Sequence, residues 1–301
     1  QVKPAQTRVP HRVPRQATNP PRCRPPRTSH IAMAPSCCPE GSEPLREMED
    51  YKAKHDMTRV HSLNCYVATP AQATSKGVIM FADMFGVHTG RHKQFCDMLA
   101  ENGYLAICPD FLEKSPYMSP STPKFGASKC CALEFICLFV CGTFDKKTRT
   151  YGWHSYMRQK VMEELVPYMK IKGIQSFGAV GFCWGTYGSM HCAEFPEFKA
   201  CVGYHPSNEG FCKATKEDDL EVCRKIKCPQ LMFATKLESA RWKPDGEAHK
   251  ACEATLPGKV TWKSVEQNHG YMTRGDTKQP ETLDAVKNGC EVMLQLFKEN
   301  L

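Results

Sequence analysis

Residues 177–194 read FGAVGFCWGTYGSMHCAE, and the way this stretch passes from one kind of structure into another decides the fold. Its first six residues are apolar or glycine, as in a strand buried on both faces, and the residues from 184 onward follow a helical pattern. Between them Gly181-Phe182-Cys183-Trp184-Gly185 has the form G-x-nucleophile-x-G. Such a turn holds its central residue in a strained backbone conformation, and the flanking glycines let neighbouring backbone approach where a Cβ would collide. The thiol of Cys183 then stands at the carboxyl end of a strand, with a helix N-terminus behind it and the Trp184 amide aimed at an incoming carbonyl oxygen. A helix N-terminus also lowers a thiol pKa from about 8.5, favouring the attacking thiolate. A buried cysteine between two incidental glycines is the competing reading, and the strand, turn and helix order argues against it.

Outward from this turn the chain alternates short apolar runs with longer amphipathic stretches, the signature of βαβ units on a mostly parallel sheet with helices on both faces. Strands are expected at 65–70, 77–83, 104–110, 177–182, 200–205, 230–235 and 260–265. Helices are expected at about 91–102, 155–171, 184–195, 246–255 and 282–299. Val286, Cys290, Met293, Leu294 and Phe297 form a core-facing stripe on the last helix. The segment 112–155 is too long for a tight connection, and its middle, CCALEFICLFVCGTF at 130–144, is the most apolar stretch of the protein. Fifteen residues with Glu134 among them fall short of the roughly 20 that span a bilayer. An inserted helix packed on the body, or a lid over a site, fits better.

The 301 residues are 41% apolar and 24% charged, a globular composition, with a formal net charge of +8. Lys3, Arg8, Arg12, Arg15, Arg22, Arg24 and Arg27 carry +7 of that charge in the first 32 residues, which hold seven prolines and no acidic residue. Residues 1–32 therefore read as a disordered basic arm, and residues 33–301 as a single domain that is nearly neutral. The prolines break the helix a mitochondrial transit peptide would need, and the arm lacks both a secretory apolar run and the aromatic interleaving of a nucleic-acid binder. Leader sequence, or residues foreign to the folded body, is the plainest reading, with Met33 opening a more ordinary start. Eighteen cysteines without a secretory signal imply free thiols in a reducing, cytoplasmic compartment rather than a disulfide framework. None of the close pairs forms a C-x-x-C, and His88 and His92 lack a third ligand, so no metal is expected; as an isolated pair they read as solvent-facing. No glycine-rich phosphate loop follows any strand.

A nucleophile on such an elbow is followed in chain order by its acid and then its histidine. Four histidines lie downstream. His191 and His249 fall inside helices and read as structural or surface groups, while His205, ending a strand in GYHPS, could line the site. His269 is the best base: QNHGYMTRGD puts it in a loop after the last strand, with Gly270 permitting a tight turn.

GFCWG, HGYMTR, FADMFGVHTGRHKQFCDMLAENGYLAICPDF at 81–111 and the opening SCCPEGSEP together resemble eukaryotic members of the dienelactone hydrolase (carboxymethylenebutenolidase) family over residues 36–300. The resemblance is specific, because most α/β-hydrolases carry serine at the elbow. It implies an α/β-hydrolase fold and a Cys-His-acid triad that hydrolyses lactones or esters without a cofactor. Carried over by position, Cys183 is the nucleophile and His269 the base. The family's acid, counted from the proline that begins the preceding strand, falls on Glu238, a departure from the usual Asp, with Asp245 in the same loop as the alternative. The resemblance also implies oxyanion donors at Trp184 and Met84, a site-modulating acid at Asp83 where bacterial members carry Glu, and a substrate-carboxylate arginine at Arg274, one residue further from the histidine than in the family. The expected partner is a small ester or lactone, carboxylated ones included, with neither nucleic acid nor membrane involved and no signal for an oligomer. A non-catalytic binding protein on the same fold and a redox-responsive thiol protein are the competing readings.

Overall fold

The computed structural model describes residues 39, 41–43, 51–112 and 150–301. The arm at 1–32, the apolar stretch at 130–144 and most of the segment expected at 112–155 lie outside the described residues. The strands are β1 (Met57–Val60), β2 (Leu63–Ala68), β3 (Lys76–Phe81), β4 (Leu105–Pro109), β5 (Ser176–Phe182), β6 (Phe198–Tyr204), β7 (Gln230–Thr235) and β8 (Val260–Val265). They form one sheet in the order β1-β2-β4-β3-β5-β6-β7-β8. β2 runs antiparallel to both β1 and β4, and every pairing from β4 through β8 is parallel. This is the α/β-hydrolase arrangement, with β5 near the middle of the sheet.

Alternation along the strands sends side chains to two apolar cores. One core joins Ile79, Phe81, Phe177, Ala179 and Met232 to Met157, Val161, Leu165 and Met190. The other joins Val78, Met80, Val180, Phe182, Val202 and Phe233 to helix α1 (His92–Glu101) through Phe95 and Leu99. On that same face the last helix, α8 (Pro280–Asn300), buries Val286, Cys290, Met293 and Phe297; Leu294 is only partly covered. Between α1 and α8 lie α2 (Val166–Ile171), α3 (Gly185–Cys192), α4 (Asn208–Thr215), α5 (Asp219–Cys223), α6 (Glu247–Thr255) and α7 (Tyr271–Arg274). The approach to α2 is wound as π-helix over Trp153–Met157 and Lys160–Leu165. Phe182 stacks between Phe95 (5.4 Å) and Tyr204 (5.2 Å), and Tyr204 stacks on Phe233 (4.9 Å). Each such pair is worth about 0.5–1.5 kcal/mol beyond the area it buries, so the ring column stiffens β5, the strand that ends at Cys183.

Helix α3, which begins two residues after Cys183, is pinned by an ionic cluster. His191 lies under the Trp153 ring (5.0 Å), with Nδ1 2.9 Å from Glu194 and Nε2 3.0 Å from Glu217, while Tyr187 Oη donates to Glu217. Burial opposes the imidazolium, but its bonds to Glu194 and Glu217 outweigh that and hold the His191 pKa above the ordinary 6.5. Burial likewise opposes the Glu217 carboxylate, yet donors from His191 and Tyr187 bring its pKa down to about 2. A raised histidine contributes stability below its unfolded pKa and loses it as pH rises through the folded one; a depressed carboxylate contributes above its unfolded pKa and loses it as pH falls. The cluster should therefore support the fold most between the ordinary values of 4.5 and 6.5. Thermal midpoints measured from pH 4 to 9 should fall on the alkaline side of that window, and His191→Phe should flatten the fall. An unchanged slope in the variant would refute the linkage.

Candidate active site

Because β3 and β5 through β8 are parallel and paired in register, their carboxyl ends share one edge of the sheet. In an open α/β sheet that edge is where ligands bind. Asp83 follows β3, Cys183 follows β5, His205 follows β6, Glu238 follows β7 and His269 follows β8. Five chemically capable side chains from distant parts of the chain are thereby gathered along one rim.

Cys183 has φ 54°, the left-handed region, at a cost of about 1–3 kcal/mol for a residue with a Cβ. Its main chain is held on both sides. The amide donates to Tyr204 O at 3.0 Å, and the carbonyl accepts from Thr186 Oγ1 at 2.6 Å and from Ser207 N at 3.3 Å. A Cβ on Gly185 would collide with the carbonyl oxygens of Phe81 and Ala82, and one on Gly181 would collide with Gly185 O. Both glycines are thus required for close approach, which brings the Trp184 turn against the strand end leading to Met84. The Cys183 sulfur is buried and lies 3.4 Å from Ser207 Oγ.

Glu238 Oε1 is 2.6 Å from His269 Nδ1, and its second oxygen accepts from the Thr235 amide. The carboxylate is only 6% exposed and His269 is fully buried, so the pair meets in a low-dielectric setting. With Nδ1–H donating to a carboxylate, the tautomer that leaves Nε2 as the basic nitrogen is favoured. The longer arm of Glu is accommodated because the chain folds back on the end of β7 before it reaches across. Asp245 is not brought to the imidazole: its side chain is 92% exposed, 3.9 Å from His249.

The histidine loop is clamped from several sides. Gly270 has φ 91°, and a side chain there would strike the Arg274 guanidinium. Glu43 N donates to His269 O at 2.8 Å, and Asn268 Nδ2 donates to Glu43 Oε1 at 3.1 Å. Arg91 donates to Met272 O at 3.1 Å, to Thr277 Oγ1 at 3.2 Å and to Gly275 O.

Asp83 is buried and held at both carboxylate oxygens: Phe85 N donates to Oδ1 at 3.0 Å and Thr273 Oγ1 to Oδ2 at 2.9 Å. Arg274 Nη1 lies 3.6 Å from Oδ2, with its guanidinium carbon 4.6 Å from the centre of the Phe85 ring. His92 faces inward rather than to solvent, contrary to the expectation for an isolated His88/His92 pair. It is fully buried, accepting from Asp83 N at Nε2 (3.1 Å) and donating from Nδ1 to Thr89 O (2.7 Å). Burial pushes its pKa down, so the neutral ring acts as a strut beneath the Asp83–Met84 turn. His88 stands apart, 3.4 Å from Asp110. Among the described residues no group of three or more His, Cys, Asp or Glu could hold a metal ion.

Three contributors escaped the sequence reading. Ser207 is signalled only by its place in the HPS turn after β6, and Thr273 only by lying inside HGYMTR. Arg91 carries no local signal, because its partners are main-chain carbonyls about 180 residues away.

The family model for the dienelactone hydrolase family matches residues 63–301. A carboxymethylenebutenolidase homolog of Xenopus tropicalis is 27% identical over 178 residues, 58% of this chain and 63% of that protein, so the alignment spans less than two thirds of its length. An AIM2 family protein of Schizosaccharomyces pombe is 25% identical over 278 residues, covering 87% of this chain and 98% of the yeast protein. Among solved structures, a dienelactone hydrolase-type protein of Klebsiella pneumoniae superposes with a TM-score of 0.56 at 20% identity, covering 78% of this chain and 92% of that one, a likeness of fold.

Proposed function

The chain belongs to the dienelactone hydrolase family, and on that premise we propose that it hydrolyses lactones or activated esters through a thioester on Cys183. The observation that carries this reading is a cysteine on a strained elbow and a buried, hydrogen-bonded His269–Glu238 pair, each member following its own parallel strand along one edge of the sheet. His269 takes the Cys183 thiol proton at Nε2, the resulting thiolate attacks the carbonyl carbon, forming the C–S bond as the carbonyl π bond opens, and the oxyanion is received by the amides of Trp184 and Met84. Collapse breaks the C–O bond, and His269 passes its proton to the leaving alkoxide or enolate. His269 then takes a proton from water as the water attacks the thioester, the acid departs, and the sulfur is released. Glu238 keeps the imidazole in one tautomer throughout. Sulfur leaves more readily than an amine, so activated esters suit this nucleophile and amides do not.

The substrate is a small molecule, and Arg274, facing Asp83, is the cation that would take a substrate carboxylate. Every described cysteine is a free thiol, which supports a reducing, cytoplasmic setting. Among the described residues no helix is long and apolar enough to cross a membrane. The decisive experiment is turnover of 4-nitrophenyl acetate or a dienelactone, with mass spectrometry detecting the acyl adduct on the Cys183 peptide. Activity without that adduct, and insensitive to Cys183→Ala, would reject the mechanism. In the same panel, any preference for a carboxylated over an uncharged ester should disappear in Arg274→Ala; its persistence would remove Arg274 from the site.

A further inference from the structure

His205 stands at this rim without a part in the chemistry above, and its surroundings set it apart from the other buried histidines. His92 uses both ring nitrogens on protein partners, and both nitrogens of His191 lie within reach of carboxylates. His205 is equally buried, yet neither Nδ1 nor Nε2 has a hydrogen-bond partner among the described residues. Its ring is edge-on to His269, with centroids 4.8 Å apart, and flanked by Tyr271 (5.9 Å) and Phe182 (6.2 Å). Its backbone has φ 42°, fixed by an amide bond to Phe233 O at 2.8 Å. From the same turn Ser207 Oγ reaches to 3.4 Å from the Cys183 sulfur. A group held by His205 would thus lie between His269, whose ring His205 meets, and the turn that carries Ser207 to the Cys183 sulfur.

We propose that the His205 imidazole is a substrate-binding group of this site, one that takes esters or lactones bearing a hydroxyl next to the reacting carbonyl. The inference rests on the hydrolase reading above and deepens it. A buried polar group without a partner destabilises the fold, and this ring has two such atoms together with a left-handed backbone. Burial pushes its pKa well below the ordinary histidine value, and the neighbouring His269 and Arg274 push the same way against the opposing pull of Cys183, so the ring is neutral. A neutral imidazole offers one N–H and one lone pair. A hydroxyl can satisfy whichever nitrogen faces the bound ester, accepting from the N–H or donating to the lone pair, whereas a carboxylate can only accept.

The test compares kcat/KM for 4-nitrophenyl 2-hydroxypropanoate and 4-nitrophenyl propanoate. The quantity read is the hydroxylated-to-plain ratio of the wild type divided by that of a variant, which cancels both the intrinsic reactivity of the esters and the fraction of enzyme folded. His205→Phe keeps an aromatic ring without its nitrogens, and the double ratio should be about tenfold, the worth of one buried hydrogen bond. His205→Asn, which retains a donor and an acceptor and tolerates this backbone, should bring the double ratio to within about threefold of unity. If the phenylalanine variant does not fold, His205→Ala carries the same expectation. A double ratio near one for Phe or Ala would make His205 a core histidine satisfied by water and overturn the proposal while leaving the hydrolase intact. Loss of turnover on both esters in every variant would assign the ring to the reaction machinery and overturn a binding role. A wild type inert on both esters overturns the hydrolase reading itself, and this inference with it.

Discussion

Cys183→Ala should lower kcat/KM for an activated ester by at least about a thousandfold and abolish the acyl adduct on that peptide, because the thioester cannot form without the sulfur. What survives should be no more than water activated by His269 with the oxyanion donors still in place. The fold should survive the change. The bonds that hold residue 183 come from its own amide and carbonyl, to Tyr204, Thr186 and Ser207, and alanine keeps all of them. The left-handed strain is also the same for both residues, so thermal midpoints should differ little. Cys183→Ser is the informative companion. A hydroxyl fits the space, but its proton is much harder to remove than a thiol's, so a site tuned to sulfur should lose most of its rate. Activity equal to the wild type in Cys183→Ala would show that hydrolysis proceeds without the elbow nucleophile, and in Cys183→Ser that the site is not tuned to sulfur.

Glu238→Gln should lower kcat by about 10³–10⁴ with little change in KM, the size of effect seen when a triad histidine loses the acid that fixes its tautomer. The amide is nearly isosteric, and its oxygen can still accept from Thr235 N. It can then offer only its NH2 to His269 Nδ1, which favours the tautomer with the proton on Nε2, where it cannot act as base. It also withdraws the charge that stabilises the imidazolium. Asp245→Ala should leave kcat within about twofold, as expected for a 92%-exposed carboxylate remote from the imidazole. The reverse pattern, with Asp245 essential and Glu238 dispensable, would mean that the loop after β7 rearranges when substrate binds.

How far these features were legible before the structure depended on how local their causes were. β7 and β8 were bounded to the residue, β7 by its apolar centre LMFA after Pro229 and β8 by the β-branched and aromatic residues of VTWKSV after Pro257-Gly258. β1 was missed: MTRV is short and carries a polar threonine and an arginine, and only pairing with β2 makes it a strand. α4 was passed over because it is only eight residues long and follows the HPS turn directly, and the π-helical winding before α2 leaves no compositional mark. Cys183 and His269 were visible in their own motifs. Glu238 was reached only through a family spacing, since nothing around it distinguishes it from Asp245. Burial separates the two, and burial belongs to the folded chain. His92 was misjudged for the same reason, its partner being an amide on a strand end that sequence does not show to be near.

The clamps on the His269 loop join opposite ends of the chain. Asn268 and Glu43 are 225 residues apart, and Arg91 reaches 181 residues forward to Met272. Contacts of such separation are entropically the slowest to close, and they are repaid only when most of the sheet between them is in register. Cys183, by contrast, sits in a turn whose strand and helix are its immediate neighbours. On the proposed mechanism, a chain emerging from synthesis would present its thiol before the acid and base are assembled around it, and reactivity would become catalysis only when these distant parts of the polypeptide meet.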